Sequence, residues 1–202
     1  GRAAAGITLY EGRGVCAGKG QAIVRSESGE EMLTADNIIL SCGSSSASFP
    51  GLTPDGDAVL DSTGVLNLPD VPESLIIVGA GAIGLELGDF FGMMGSKITI
   101  VEAAPHIAPT EDADIAKEMD RVQSKAGRTC ITGVMAKSLV TKDGQAELTI
   151  GDGRVLTASK ALVAVGRTPN TAGLDCEKAG CTLKRRGFVD VNDHLEAAEG
   201  VY

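Results

Sequence analysis

Three glycines and one carboxylate carry the most specific chemistry in this 202-residue sequence. They stand in the run Gly79-Ala80-Gly81-Ala82-Ile83-Gly84, directly after the apolar stretch Leu75–Val78, and at Glu102, which closes the next apolar stretch, Lys97–Val101. A strand, a glycine turn, a helix and a second strand ending in an acid make a site for the diphosphate and ribose of a dinucleotide. Gly79 permits the tight turn from strand to helix. Gly81 lacks a Cβ and so leaves room for the diphosphate, and Gly84 lets the helix pack close to the strand. Unpaired N–H groups and the positive end of the helix dipole then face the phosphates. Glu102 accepts hydrogen bonds from the adenosine ribose hydroxyls and would repel a 2′-phosphate. Ala103 and Ala104 offer no cation to receive one. The pattern reads as an NAD(H) site rather than an NADP(H) site.

Other reactive residue types fall into weaker patterns. Cys176 and Cys181 are separated by four residues, but only Lys178 and Lys184 could supply the positive surroundings that lower a thiol pKa. The spacing is read as coincidental. Cys16, Cys42 and Cys130 lie in apolar, strand-like contexts and read as core thiols. His106 and His194 are far apart and show no metal-ligand spacing, so no metal site is expected, and His106 reads as an exposed loop histidine near the adenosine. No Ser-His-Asp set and no Gly-x-Ser-x-Gly turn is visible.

These residues need elements to hold them. Alternation of strands and helices from residue 75 onward predicts a parallel sheet. Leu75–Val78 and Lys97–Val101 are its first strands, and Ala161–Val165 is a later one. Between the first two, Ile83, Leu87, Phe90/Phe91 and Met94 recur at helical spacing, and Gly95 suits a left-handed residue beyond the helix end. Glu111–Ala126 predicts a polar helix with Ile115, Met119 and Val122 on one face, closed by Gly127. Asp143-Gly144 and Asp152-Gly153 punctuate the β-prone runs Ser138–Thr141, Glu147–Ile150 and Val155–Thr157, which predicts a three-stranded antiparallel meander. Upstream, Ile7–Tyr10 and Gln21–Arg25 read as short strands, Ser26–Glu31 as a polar turn and Asn37–Leu40 as a buried strand. Ser44–Pro72, rich in Ser, Gly, Pro and Asp, reads as a domain boundary or crossover.

Composition narrows the function classes. The formal net charge is −9, and Lys184-Arg185-Arg186 is the one dense basic run, so no nucleic-acid partner is expected. Aromatic content is 3% with no Trp, which leaves no platform for stacking bases. No stretch approaches the roughly 20 apolar residues of a membrane span, so no membrane partner is expected. Five cysteines without a disulfide framework suit a reducing, cytoplasmic compartment.

The motifs together resemble a known family. Gly79-Ala-Gly-Ala-Ile-Gly-Leu-Glu-Leu-Gly88, Lys97-Ile-Thr-Ile-Val-Glu102 and Ala164-Val-Gly-Arg-Thr-Pro-Asn170 are similar to segments of the flavin-dependent pyridine nucleotide-disulfide oxidoreductases. Gly187-Phe-Val-Asp-Val191 and Gly200-Val-Tyr202 fit the same pattern. Leu9–Gly14 and Asn37–Ser44 resemble the FAD-domain meander and the Ala-Thr-Gly-Ser segment of its dihydrolipoamide dehydrogenase branch. The resemblance runs nearly end to end. Two departures stand out: Ser41-Cys42-Gly43 replaces Ala-Thr-Gly, and Ala82 stands where some relatives carry an aromatic gate over the nicotinamide pocket.

The resemblance implies an α/β fold: a Rossmann-like parallel sheet with an inserted antiparallel β-meander, plus partial FAD-domain strands. It assigns 1–48 to a partial FAD-binding domain, 49–168 to the NAD-binding domain and 169–202 to the start of the returning FAD and central segment. By matching position, Gly79 to Glu86, Glu102, Val134 and Gly166 would line NAD, while Gly14, Gly43 and Ser44 would touch FAD. Glu86 would lack the FAD-domain lysine it pairs with in many relatives.

Family members are more than twice this length, and this sequence has no initiator Met, so it is expected to be an internal fragment. The redox Cys-x4-Cys, an FAD-binding glycine motif and the His-Glu acid-base pair would lie outside it. Cys176–Cys181 lacks the sequence that flanks that redox pair. The implied parent is a homodimer that passes electrons from a small dithiol through an enzyme disulfide and flavin to NAD⁺. The fragment alone is expected to be inactive. Mercuric reductase, a soluble transhydrogenase or another disulfide reductase would share the domain, and a non-catalytic NAD-binding module is the alternative outside the enzyme class.

Overall fold

The computed structural model describes residues 5–202; residues 1–4, which open the segment expected at 1–48, lie outside the described residues. The chain divides into two compact units. One holds the described part of Gly1–Ser45 together with Thr168–Tyr202, and the other holds Ser46–Arg167.

The first unit is built on an antiparallel meander of β1 (Arg13–Gly18), β2 (Gln21–Ser26) and β3 (Gly29–Thr34). Three sequence expectations change here. Ile7–Tyr10 forms no strand and stays exposed, because its alternating pattern finds no neighbouring strand to pair with. Ser26–Glu31 is not all turn: Glu30 and Glu31 enter β3, drawn in by pairing with Arg25 and Val24 and by an Arg25–Glu30 ion pair at 2.8 Å. Asn37–Leu40 is not a buried strand. Ile38 makes one parallel bridge to Val201, and Ile39 is 78% exposed. Ile38, Val201, Cys16, Cys176 and Cys181 share this unit's small core. The chain leaves through β4 (Ser44–Ser46).

The second unit is an α/β layer structure around a five-stranded parallel sheet. The segment read as a crossover supplies its edge strand, β5 (Val59–Leu60), and a short helix, α1 (Ser62–Leu66), capped by the Asp61 side chain on the Gly64 N–H at 2.8 Å. Then come β6 (Ser74–Val78), α2 (Ala82–Met93), β7 (Lys97–Val101), α3 (Ala113–Lys125) and β8 (Thr129–Ile131). The inserted antiparallel meander is β9 (Ala136–Lys142), β10 (Gln145–Ile150) and β11 (Val155–Ala158), followed by β12 (Lys160–Val163). The sheet order is β5-β12-β6-β7-β8, every pair parallel. β13 (Arg167–Pro169) leads back to the first unit.

Both faces of this sheet are covered, which explains its continuous apolar strands. Ile76 and Val78 face the meander and pack with Ala146, Leu148 and Ile150 of β10. Leu75 and Ile77 face the helices and pack with Val65, Leu85 and Phe91. The expected sheet and meander are therefore present. One turn follows the expected chemistry, with Asp143 at φ 51° and Gly144 at φ 76°. At the other only Gly153 has positive φ, and Asp152 instead braces Arg154 through its N–H and guanidinium.

The buried helix faces differ from the expected ones. In α2 the packed face is Gly84, Leu85, Gly88 and Phe91; Ile83 and Leu87 are half-buried, and Phe90 and Met94 are exposed. The glycines decide this, since a Cβ on Gly88 would stand 3.0 Å from Ile77 Cδ1, and only a glycine face lets the helix settle so close. In α3 Ala116 and Gln123 are buried while Ile115 and Val122 are exposed. A polar clamp turns that helix: Arg128 donates to Gln123 Oε1 at 2.8 Å and pairs with Asp89 at 2.6 Å.

Candidate functional site

The carboxyl ends of β6, β7 and β12 open into one cavity of about 570 Å³. β7 lies on one side of β6 and β12 on the other, so the connections reverse direction here. Open parallel sheets bind ligands at such a reversal. Gly79 and Gly81 enter the wall after β6, Glu102 and Ala103 after β7, and Gly166 after β12.

The three glycines of the turn have separate causes. Gly79 has φ 103°, and a Cβ there would lie 2.4 Å from the Ala164 carbonyl oxygen. Its N–H donates to Val101 O at 2.9 Å, which ties β6 to β7 where the cavity begins. A Cβ on Gly84 would stand 2.0 Å from Gly79 O, so this residue holds helix against turn. Gly81 differs: a Cβ there would meet nothing within 4 Å. Nothing among the described residues requires glycine at 81, whereas close approach of an external group would. Gly81 is also the N-cap of α2; it supplies no side-chain cap, and no acidic residue stands in the first turn. The first N–H groups of a helix have no partner inside it, so this end can receive an anion.

Glu102 lies half-buried at the cavity wall. Its Oε2 accepts the Ala80 N–H at 2.7 Å and its Oε1 accepts the Ala104 N–H at 2.8 Å. Ala80 is fully buried, and its carbonyl accepts the Ala108 N–H at 2.9 Å. Both backbone groups of Ala80 are thus engaged within the chain. Ala82 is exposed and Ile83 half-buried at the start of α2, while Glu86 is exposed one turn on and has no ion pair among the described residues. Val134 donates its N–H to Glu102 O at 3.2 Å and packs on the core; Met135 and Ala136 beside it form the cavity wall.

Several wall residues were not singled out in the sequence. Phe49, Pro50 and Leu52 come from the segment read as a crossover. They are pinned there by the Leu139 N–H donating to Gly51 O at 2.8 Å. No local pattern marks them, because their place depends on pairing with a meander almost ninety positions later. Their apolar surface, with Met135 and Val165, makes most of the cavity wall hydrocarbon, as planar ring ligands require.

In the first unit, Gly14 lies in β1 opposite Val24 and is exposed. It lines a cavity of about 250 Å³ with Cys16, Cys42 and Leu40. Gly43 has φ 70°, and its carbonyl accepts the Asn170 N–H at 3.1 Å. Ser44 is half-buried at the start of β4. His106 is half-buried, its Nδ1 2.9 Å from the Ile107 carbonyl. Among the described residues no group of three or more His, Cys, Asp or Glu is arranged to hold a metal ion. Cys176 and Cys181 are buried free thiols, and burial pushes both above the ordinary thiol value.

Comparison with known proteins gives the family. The family described as pyridine nucleotide-disulphide oxidoreductase matches residues 2–202. The chain is 36% identical over 192 residues to a dihydrolipoyl dehydrogenase of Cupriavidus necator, covering 93% of this chain and 40% of that protein. It is 34% identical over 202 residues to the mitochondrial dihydrolipoyl dehydrogenase of Homo sapiens, covering 94% of this chain and 39% of that one. Among solved structures, LpdA from Mycobacterium tuberculosis superposes with a TM-score of 0.88 at 28% identity, covering 99% of this chain and 45% of that chain. The HOCl-induced flavoprotein disulfide reductase RclA from Escherichia coli gives a TM-score of 0.82 at 30% identity, covering 97% of this chain and 45% of that one. The chain spans about 40% of the length of the curated relatives it matches.

Proposed function

The chain belongs to the pyridine nucleotide-disulphide oxidoreductase family, and we propose that Ser46–Arg167 is its NAD(H)-binding unit within a parent dihydrolipoamide dehydrogenase. The observation that carries the reading is the placement of Glu102 beside Gly81 at the sheet's reversal point. An acid at the end of β7 suits a ribose with free hydroxyls, and each of its oxygens keeps a lone pair after accepting one backbone N–H. A 2′-phosphate there would meet a carboxylate with only Ala103 and Ala104 beside it. The open space over Gly81 and the uncapped start of α2 suit a diphosphate. When bound, the nicotinamide supplies hydride transfer; this chain's residues bind and orient the nucleotide and exclude water from it.

On the same reading Gly79 to Gly84, Glu86, Glu102, Val134 and Gly166 serve NAD, while Gly14, Gly43 and Ser44 serve FAD in the whole protein. The substrate is a small dithiol, oxidised to its disulfide by a homodimeric, cytoplasmic parent. The similarity to dihydrolipoyl dehydrogenases supports this choice of substrate class.

Fluorescence titration of the 202-residue chain tests the cofactor assignment. NADH should bind at least tenfold more tightly than NADPH. Equal or tighter NADPH binding, or no binding of either at millimolar nucleotide, would overturn it. The chain alone should show no NADH- or lipoamide-dependent turnover.

A further inference from the structure

The first unit gathers most of the chain's cysteines at one place. Cys16 of β1, Cys176 and Cys181 share a single buried core cluster. The topology brings them there from opposite ends of the sequence: the Cys16 N–H donates to Leu174 O at 2.8 Å, and the Cys181 N–H donates to Cys176 O at 3.1 Å. Cys16 stands in β1, and β1 packs on the short helical turn Cys176–Ala179 that Cys176 opens. Cys42 is half-buried, and both Cys42 and Cys16 line the cavity of about 250 Å³ beside the meander.

We propose that Cys16 and Cys176 are an oxidisable pair, closed to a disulfide by a small dialkyl disulfide that enters at Cys42. The thiolate of Cys42 attacks one sulfur of the reagent, forming a mixed disulfide and releasing one reagent thiolate. Cys16, which lines the same cavity, then attacks the Cys42 sulfur and releases the second reagent thiolate. Cys176 attacks the Cys16 sulfur and returns Cys42 to its thiolate. Each attacking thiol gives its proton to water, and each released thiolate takes one back. Two protein thiols are oxidised, and one reagent disulfide is reduced to two thiols.

Burial makes the pair slow rather than inert. Desolvation raises both thiols above the ordinary value, and a neighbouring thiol, Cys181 for Cys16 and Cys16 for Cys176, adds to the rise. Little thiolate exists at neutral pH, so an outer thiol that takes the first attack matters. The product would join β1 to a segment 160 positions away, the kind of long loop whose closure most restricts an unfolded chain.

The test incubates the 202-residue chain with glutathione disulfide at pH 8.5, followed by alkylation and peptide mass mapping. The expected product is one Cys16–Cys176 cross-link, three alkylated cysteines and full reversal by dithiothreitol. Cys42→Ser should form the same link at least tenfold more slowly, and Cys181→Ser should form it at the wild-type rate. A Cys176–Cys181 link, a lasting adduct at Cys42 with Cys16 and Cys176 unlinked, or five unchanged thiols would each overturn the proposal. So would a spread of pairings matching the one obtained in guanidinium. The wild-type map decides the pairing even where a serine variant does not fold.

Discussion

The carboxylate of Glu102 is bonded to the amide of Ala80 at 2.7 Å, so the acid at the end of one strand holds the second residue of the turn after its neighbour. The other carboxylate oxygen holds the Ala104 amide at 2.8 Å. Glu102 thus shapes the turn as well as lining the cavity above it. Replacing it with glutamine keeps the size but turns an NH₂ group toward one of two amide donors. Hydrogen bonds to charged groups contribute about 1.5–3 kcal/mol each. Glu102→Gln should therefore weaken NADH binding about tenfold or more and narrow the preference over NADPH. Paired nucleotide titrations read both effects, and an unchanged NADH/NADPH ratio would count against the ribose role.

Two glycines in the same turn should respond in opposite ways. At Gly84 a methyl group would collide with Gly79 O at 2.0 Å, and a backbone carbonyl with Ile77 Cγ2 3.1 Å away leaves little room to yield. Gly84→Ala should lower stability by about 3 kcal/mol or more, as severe overpacking does. At Gly81 the methyl group meets nothing within 4 Å among the described residues. Gly81→Ala should unfold near the wild-type denaturant midpoint yet lose nucleotide affinity. Equal loss of stability in the two variants would show that Gly81 is there for the fold alone.

These glycines also mark what could be read in the sequence. The turn, Glu102, the strands β6, β7 and β12 and the inserted meander depend on local patterns: continuous apolar runs, an Asp-Gly turn and a glycine spacing. Features set by distant partners were not legible. β5 owes its strand character to Ala161 and Leu162, a hundred positions on. The buried face of α2 follows its glycines, not its largest apolar residues, because close approach to Ile77 and Ile100 outweighs the area that Phe90 and Met94 could bury. Phe49 and Met135 line the cavity wall through long-range backbone hydrogen bonds, Leu139 to Gly51 and Gly151 to Met135, that no short window contains.

Arg128 clamps the outer helices to the sheet. It is 9% exposed, donates to Gln123 Oε1 and the Asp89 carbonyl, and pairs with Asp89 Oδ1 at 2.6 Å. Arg128→Ala should cost about 2–3 kcal/mol, below the full penalty for a broken buried pair because Asp89 is near the surface and can be solvated. For a chain of this size the melting temperature should fall by about 5–10 °C. Arg128→Lys should recover part of the loss, since an ammonium can keep the Asp89 contact and the buried Nε has no partner among the described residues. Calorimetry of the two variants checks the order.

Asp55 links the loop before β5 to the meander, and its charge should make stability depend on pH. Its Oδ1 accepts the N–H groups of Asp57 at 2.8 Å and Val59 at 3.1 Å, and its Oδ2 accepts the Thr141 hydroxyl at 2.5 Å. Burial is the largest single influence and opposes the charge. The Thr141 hydroxyl and the two amides together outweigh it, leaving the carboxyl below its ordinary value. A carboxyl lowered by folding stabilises above its unfolded value, about pH 4, and that stabilisation disappears as pH falls through the folded value. Asp55→Asn removes the titration. Wild type should therefore be the more stable at pH 7 in urea unfolding, with the gap closing below about pH 4. A gap that stays constant from neutral to strongly acidic solution would mean that the Asp55 charge does not hold this loop.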